Sequence, residues 1–501
     1  MAQDIQWQQV IGGVHSEYLY DLKATPDYGF LLIGSSFSGK SGNKTETGQG
    51  NLDYFLWKMS ESGNLDWQKS IGGTGNDFLY SASITKEGGY ILGGSSDSPQ
   101  SGSKIQGNFG GLDFWIVKLS PEGEEEWQTN LGGVGNDLLK TIQQTPDGGY
   151  IIGGSSDSPL IYDKDKTLVG NKTSAHNGSY DYWIVKLNSL GEIEWQKSYG
   201  GNFSDELQDI LVLEDGYLIG GNSNSRKDSG NKTSPNYGES DFWIIRINSD
   251  GEEVWQETYG GEGEDVLSGL LLTENGYLLA GSSSSDNRGT NGGSFRVMEI
   301  DKEGDVLWDE TYNFGKSDVL VKATKTKDNQ YLLGGYTLTD HANRDYLALK
   351  INQRGEMLWQ QTFGGRGNDY LSGLIQMRDG GYLLAGSSDS PKSDDKDRSS
   401  IGGTDYWLIK LGNENQLAEE RKLVEIYPNP TYQYVNIIVS TEFKEAEVEV
   451  FDMNGRKLQN KKMLYRSDVV DLQSYPPGVY IFKLKIDDKV QDIKVIKKGS
   501  K

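Results

Sequence analysis

Read for apolar and polar positions, the chain is a succession of short apolar runs of five to eight residues, rich in β-branched and aromatic side chains. Each is bounded by Gly, Asn, Asp or Pro. Such runs predict strands joined by tight turns, and no helical period intervenes. The stretch after Trp127 shows the order. WQTNLGG is followed by NDLLKTIQQT, the turn PDGG, YIIGGSS, a polar loop, DYWIVKL (181–187) and a short turn into Trp195. The turn residues accept the positive φ of tight hairpins.

This unit recurs. Tryptophan followed by a polar strand and a Gly-Gly-like turn stands at positions 7, 67, 127, 195, 255, 308 and 359, spaced 51–68 residues apart. Seven units of four strands predict an all-β fold, a seven-bladed β-propeller over residues 1–412. In each blade the strand after the Gly-Gly loop is innermost (a), the GYIIGGS-like strand is b, the DYWIVKL-like strand is c, and the tryptophan strand is outermost (d). The seventh blade has a (369–377), b (381–388) and c (405–411). Its missing d strand is expected at 5–11, so that the N-terminal strand closes the ring and removes a sheet edge. All twelve tryptophans fall in c or d strands, where they are expected as wedges between blades.

Four of the Gly-Gly turns, GGTGNDFLY (72–80), GGVGNDLLK, GGEGEDVLS and GGRGNDYLS, match a calcium-binding nonapeptide repeat. In that architecture successive nonapeptides stack as adjacent coils. Here single copies lie about sixty residues apart with three strands between them, so the match is read as a strand-connecting loop. Asp77, Asp137, Asp265 and Asp369 are kept only as weak calcium candidates. Asp205 and Asp318 likewise start a strands, and Asp53, Asp113, Asp181, Asp241, Asp345 and Asp405 start c strands. A carboxylate present in nearly every blade is expected to cap backbone N–H groups rather than to form one site.

Beyond the repeat, residues 413–423 read as a polar linker. From residue 424 alternating strands and the Asn454-Gly455 turn predict a small Ig-like β-sandwich of about seven strands. Tyr427-Pro428-Asn429-Pro430, the strand ending in Asp452 with Gly455, and the Pro477-Gly478-Val479-Tyr480 turn follow one another to the C-terminus. In these residues the tail, 424–501, resembles the type A C-terminal sorting domain of the type IX secretion system of Bacteroidota. The resemblance implies engagement of that secretion machinery and export across the outer membrane. It further implies removal of the tail, with release or attachment at the cell surface. The N-terminal signal peptide that such export requires is expected to have been removed from this sequence. The repeat units are similar to secreted propellers found upstream of such tails, which implies architecture and no activity.

Composition narrows the chemistry. The formal charge of −24 disfavours a nucleic-acid partner. The absence of cysteine excludes disulfides and thiolate chemistry, and no apolar run reaches membrane-spanning length. Only His15, His176 and His341 are present, far apart, and no catalytic motif occurs. No cofactor is expected beyond calcium. A functional site should break the repeat, and the irregular loops of the d–a/b–c face offer His176, Arg288, Arg296, His341 and Arg344 as ligand-binding candidates. The function expected is a secreted or surface-displayed non-catalytic module for a glycan or a protein. The alternatives are an extracellular polysaccharide lyase or glycosidase, and a surface adhesion or structural component.

Overall fold

The computed structural model describes residues 3–285, 292–412, 422–441 and 443–499; most of the expected linker and Arg288 lie outside them. Among these residues every regular element is a strand. Blade 1 is Glu17–Ala24, Phe30–Ser36, Asp53–Met59 and Leu65–Ile71, paired antiparallel in chain order, and the next five blades repeat it. The seventh sheet pairs Asp369–Gln376, Tyr382–Ser388 and Asp405–Gly412, and its outermost strand is Asp4–Ile11 from the far end of the chain. The register runs from Asp4 opposite Gly412 to Ile11 opposite Tyr406. The seven inner strands contact one another in sequence, and the last, Asp369–Gln376, returns to Glu17–Ala24. The disc is closed.

The apolar pattern explains the layering. The b and c strands are buried along nearly their whole length because both of their faces meet neighbouring blades. Inner strands alternate, one face packed and one lining the axis. Tryptophans fill the junctions. Each c strand carries an aromatic ring that reaches the following blade: Tyr54 lies 4.7 Å from Trp115, and its hydroxyl donates to the Trp115 carbonyl at 2.9 Å. Tyr182 meets Trp243 and Tyr346 meets Trp407 in the same way. On the d strands Trp67, Trp127 and Trp359 sit 5.6–5.7 Å from Tyr90, Tyr150 and Tyr382 of the next blade.

The tail is a two-sheet sandwich. One sheet holds Val424–Tyr427, Tyr434–Val439 and Ser467–Asp471. The other holds Lys457–Met463, Ala446–Asp452, Gly478–Ile486 and Lys489–Lys497. Their apolar faces form one core containing Val435, Val450, Phe482 and Val495. The YPNP segment is stitched to the terminal strand: Asn429 accepts from the Ile496 N–H at 3.0 Å and donates to the Lys494 carbonyl at 2.7 Å. Asp452 accepts from the Asn454 and Arg456 N–H groups, with Gly455 at φ +77° completing the turn. The sandwich rests on the a–b turns of the propeller. There Arg378 lies 4.0 Å over the Tyr28 ring and pairs with Glu425 at 2.6 Å, and the Tyr427 hydroxyl donates to the Pro26 carbonyl at 3.1 Å. The d–a and b–c loops occupy the opposite face and are left open.

Candidate functional site

The Gly-Gly loop is the first feature of the open face, and close packing accounts for its glycines. A Cβ on Gly132 would stand 2.1 Å from the Asp113 carboxylate, one on Gly133 2.8 Å from Ser158, and one on Gly135 2.1 Å from Asp157. Asp137, the acid of the motif, accepts from the Gly133 N–H and the Ser158 hydroxyl, each at 2.9 Å. Asp77, Asp265 and Asp369 accept from the equivalent glycine N–H and serine hydroxyl. Through Oδ2 these carboxylates face donors, as strand caps do. No cluster of three or more His, Asp or Glu suited to a metal occurs among the described residues.

Except at Asp318, each a-strand acid has the c-strand Asp of the preceding blade beside it, and in five blades a buried Lys (Lys44, Lys104, Lys172, Lys232, Lys396) comes from the loop before the c strand. Lys104 shows the arrangement, with its ammonium 2.7 Å from Ser96 and over the Trp115 ring at 5.6 Å. Burial pushes the Asp113 carboxyl up to about 7, with Asp137 adding to the effect, and pushes the Lys104 ammonium down. The carboxylate pair is broken between blades 5 and 6, where Ser294 stands in place of a c-strand acid, and the lysine is missing from the loops of blades 5 and 6.

The loop candidates do not converge. His176 lies 3.7 Å from Asp181 in the blade 3 loop. Arg296 replaces the c-strand tryptophan of blade 5 and bridges Asp265 at 3.0 Å and Asp309 at 2.7 Å, a structural cation where that blade lacks the lysine. His341 is exposed at a turn of blade 6. Of the described candidates, Arg344 alone meets an inner-strand ring, with its guanidinium 5.6 Å over the Tyr370 ring.

That contact leads to the place where the repeat is broken in a contiguous way. The second residue of the inner strand is Tyr370, Tyr18 and Phe78 in the adjacent blades 7, 1 and 2, against Leu138, Glu206, Val266 and Val319 elsewhere. Phe37 replaces the loop Asp of the type of Asp97 and packs edge-on against Tyr18 at 6.2 Å. Tyr336 replaces a b-strand Ser and meets Tyr370 edge-on at 5.1 Å. Tyr18 is 36% and Phe37 43% exposed. Below this crescent an axial cavity of about 660 Å³ is lined by all seven inner strands, among them Tyr20, Tyr80, Lys140, Asp209 and Lys322.

The cavity's charges are mostly paired. Asp21 binds Lys23 at 2.8 Å and Lys322 at 3.2 Å. Burial by itself would raise the Asp21 carboxyl, but the two ammonium groups outweigh it and hold it below the usual carboxylate range. Burial, with Tyr80 beside it, pushes the Tyr20 phenol up. Lys140 is exposed to the channel, whose walls push its ammonium down while Glu206 opposes.

Comparison with known proteins identifies the tail. Residues 425–498 match the secretion system C-terminal sorting domain family. The propeller carrying it is therefore a secreted or cell-surface protein, and no helix among the described residues is long and apolar enough to cross a membrane. A stretch of 213 residues is 21% identical to the regulatory protein FlaEY of Caulobacter vibrioides, covering 39% of this chain; the match spans about a fifth (20%) of that relative's length. Among solved structures the chain is similar to the Pan2 WD40 domain of Neurospora crassa, at 10% identity and TM-score 0.44 over 83% of this chain and 99% of that one. It is also similar to the extracellular domain of a hybrid two-component system of B. thetaiotaomicron, at 11% identity and TM-score 0.30 over 96% and 70%.

Proposed function

We propose that the chain is an exported, non-catalytic binding module that takes a glycan on the aromatic crescent at the channel mouth. The observation that carries this reading is the crescent itself. Tyr18, Phe37, Phe78, Tyr336 and Tyr370 are departures from the repeat, and they fall side by side on blades 6, 7, 1 and 2 with Arg344 among them. Ring faces with an adjacent charged donor suit the apolar faces and hydroxyl edges of sugar rings. Asp21 is locked between two lysines and the Tyr20 phenol is raised, so neither is poised to move a proton near neutrality. The sorting domain occupies the other face and leaves this one accessible to a ligand.

A glycan array followed by calorimetry on the hits tests the assignment. Tyr18→Ala and Tyr370→Ala are each expected to weaken binding about tenfold, about 1.4 kcal/mol, with the fold intact. Undiminished affinity in both variants rules the crescent out, and shortening of the glycan during incubation rules out the non-catalytic role.

A further inference from the structure

The blade junction at which the ring closes differs from the others in one residue. Six inner strands begin with Asp, but the first begins with Glu17, one methylene longer. Its neighbour across the closure is Asp405, at the start of the c strand that pairs with the N-terminal strand. Both side chains have 0% of their surface exposed. A Cβ on Gly12, which lies between them, would stand 1.8 Å from Asp405 Oδ1 and 2.4 Å from Glu17 Oε2. The two oxygens therefore share one small space.

The hydrogen bonds assign the two groups different roles. Both oxygens of Glu17 receive donors, Oε2 from the Gly13 N–H and Oε1 from the Ser36 hydroxyl, each at 2.8 Å, as a carboxylate requires. Asp405 Oδ2 accepts from the Ile401 and Gly402 N–H groups, whereas Oδ1, like that of Asp53, Asp113, Asp181 and Asp241, has no donor and here lies against Glu17. An unpartnered, fully buried carboxylate oxygen beside another carboxylate is costly; a proton on it turns repulsion into a hydrogen bond. We propose that Glu17 and Asp405 form a proton-held latch. Asp405 remains a carboxylic acid that donates through Oδ1 to the Glu17 carboxylate, and loss of that proton to solvent loosens the closure between blades 7 and 1.

The charged groups around the pair leave room for this. Lys44, on the blade 1 loop, is directed at the Ser36 hydroxyl at 2.9 Å and reaches Glu17 through it. Lys396, on the blade 7 loop, is directed at Ser388 and at the Ser390 carbonyl. Neither ammonium forms an ion pair with the carboxylates, and the adjacent Tyr406 phenol is buried and raised. Burial and the Glu17 carboxylate push Asp405 up to about 7. Because this folded value lies above the ordinary 3.8, the latch contributes fully below 3.8. Its contribution is lost as pH rises through about 7.

Hydrogen exchange on the full chain tests the latch, with amide rates in residues 4–11 corrected for intrinsic exchange. From about pH 5.5 to about pH 8.5 they are expected to rise on the order of tenfold in the native chain. In Asp405→Asn, whose amide is a permanent donor to Glu17, they should stay flat. Infrared difference spectra between the native chain and this variant at about pH 5.5 should show the missing protonated carboxyl band, whatever the variant's stability. Flat exchange in the native chain, or no carboxyl band, overturns the proposal. So does closure of the native junction by millimolar calcium at high pH that the variant lacks, which would make the pair a cation site.

Discussion

At the scale of single residues the propeller is organised by side chains that need the absence of a neighbour's Cβ. The first glycine of each Gly-Gly turn lies against the c-strand carboxylate of its own blade, the second and third against the loop that follows the b strand. The nonapeptide likeness to a calcium repeat thus arises from packing. Gly132→Ala is expected to destabilise the protein by about 1–3 kcal/mol, because the added methyl meets a carboxylate fixed by its own hydrogen bonds. Gly148→Ala, whose Cβ would meet nothing within 4 Å but whose φ is +88°, is the comparison for backbone strain alone. Chemical denaturation of both variants checks the order. A smaller loss at Gly132 than at Gly148 would show that the contact costs less than backbone strain.

At the scale of elements, the strands were legible in the sequence because burial on two faces leaves an unbroken apolar run, as in DYWIVKL and YIIGGSS. The closing strand was legible because the repeat begins and ends out of phase. The candidate site was harder to read. Charge in an irregular segment does not by itself mark a site: Arg296 bridges Asp265 and Asp309, and of the described candidates Arg344 alone meets an inner-strand ring. Tyr18, Phe78 and Tyr370 looked like ordinary strand residues. Their signal lay in comparing the same position blade by blade, and it becomes a site only because blades 7, 1 and 2 are adjacent through the closure. Glu17 carries as faint a signal: one methylene matters only when its partner across the junction is known. The closing strand carries its own prediction. Deleting residues 1–11 bares the edge of Asp405–Gly412, and with it the buried rings of Tyr406 and Trp407. The truncated chain is expected to self-associate by strand pairing, read by analytical ultracentrifugation. A monodisperse, fully stable product would mean that the ring does not depend on this pairing.

At the scale of the whole molecule, the two faces of the disc divide the work. The short hairpins meet the sorting domain through Tyr28, Arg378 and Glu425, while the long loops and the crescent face outward on the other side. This contact includes the Arg378–Glu425 ion pair and the Tyr427 hydroxyl, and each body keeps an apolar core of its own. Removal of residues 422–501 should therefore leave glycan affinity within about twofold of the full chain. The propeller keeps its own cores and the crescent lies across the disc from the cut. Arg378→Glu places like charge against Glu425 and should free the sandwich without touching the crescent, read as faster proteolytic cleavage between the domains at unchanged glycan affinity. A tenfold loss of affinity on truncation would bring the tail into the binding site and break the division of faces. Unchanged affinity would mean that a ligand can be held both before and after the sorting domain is removed, as a module that travels with its export signal requires.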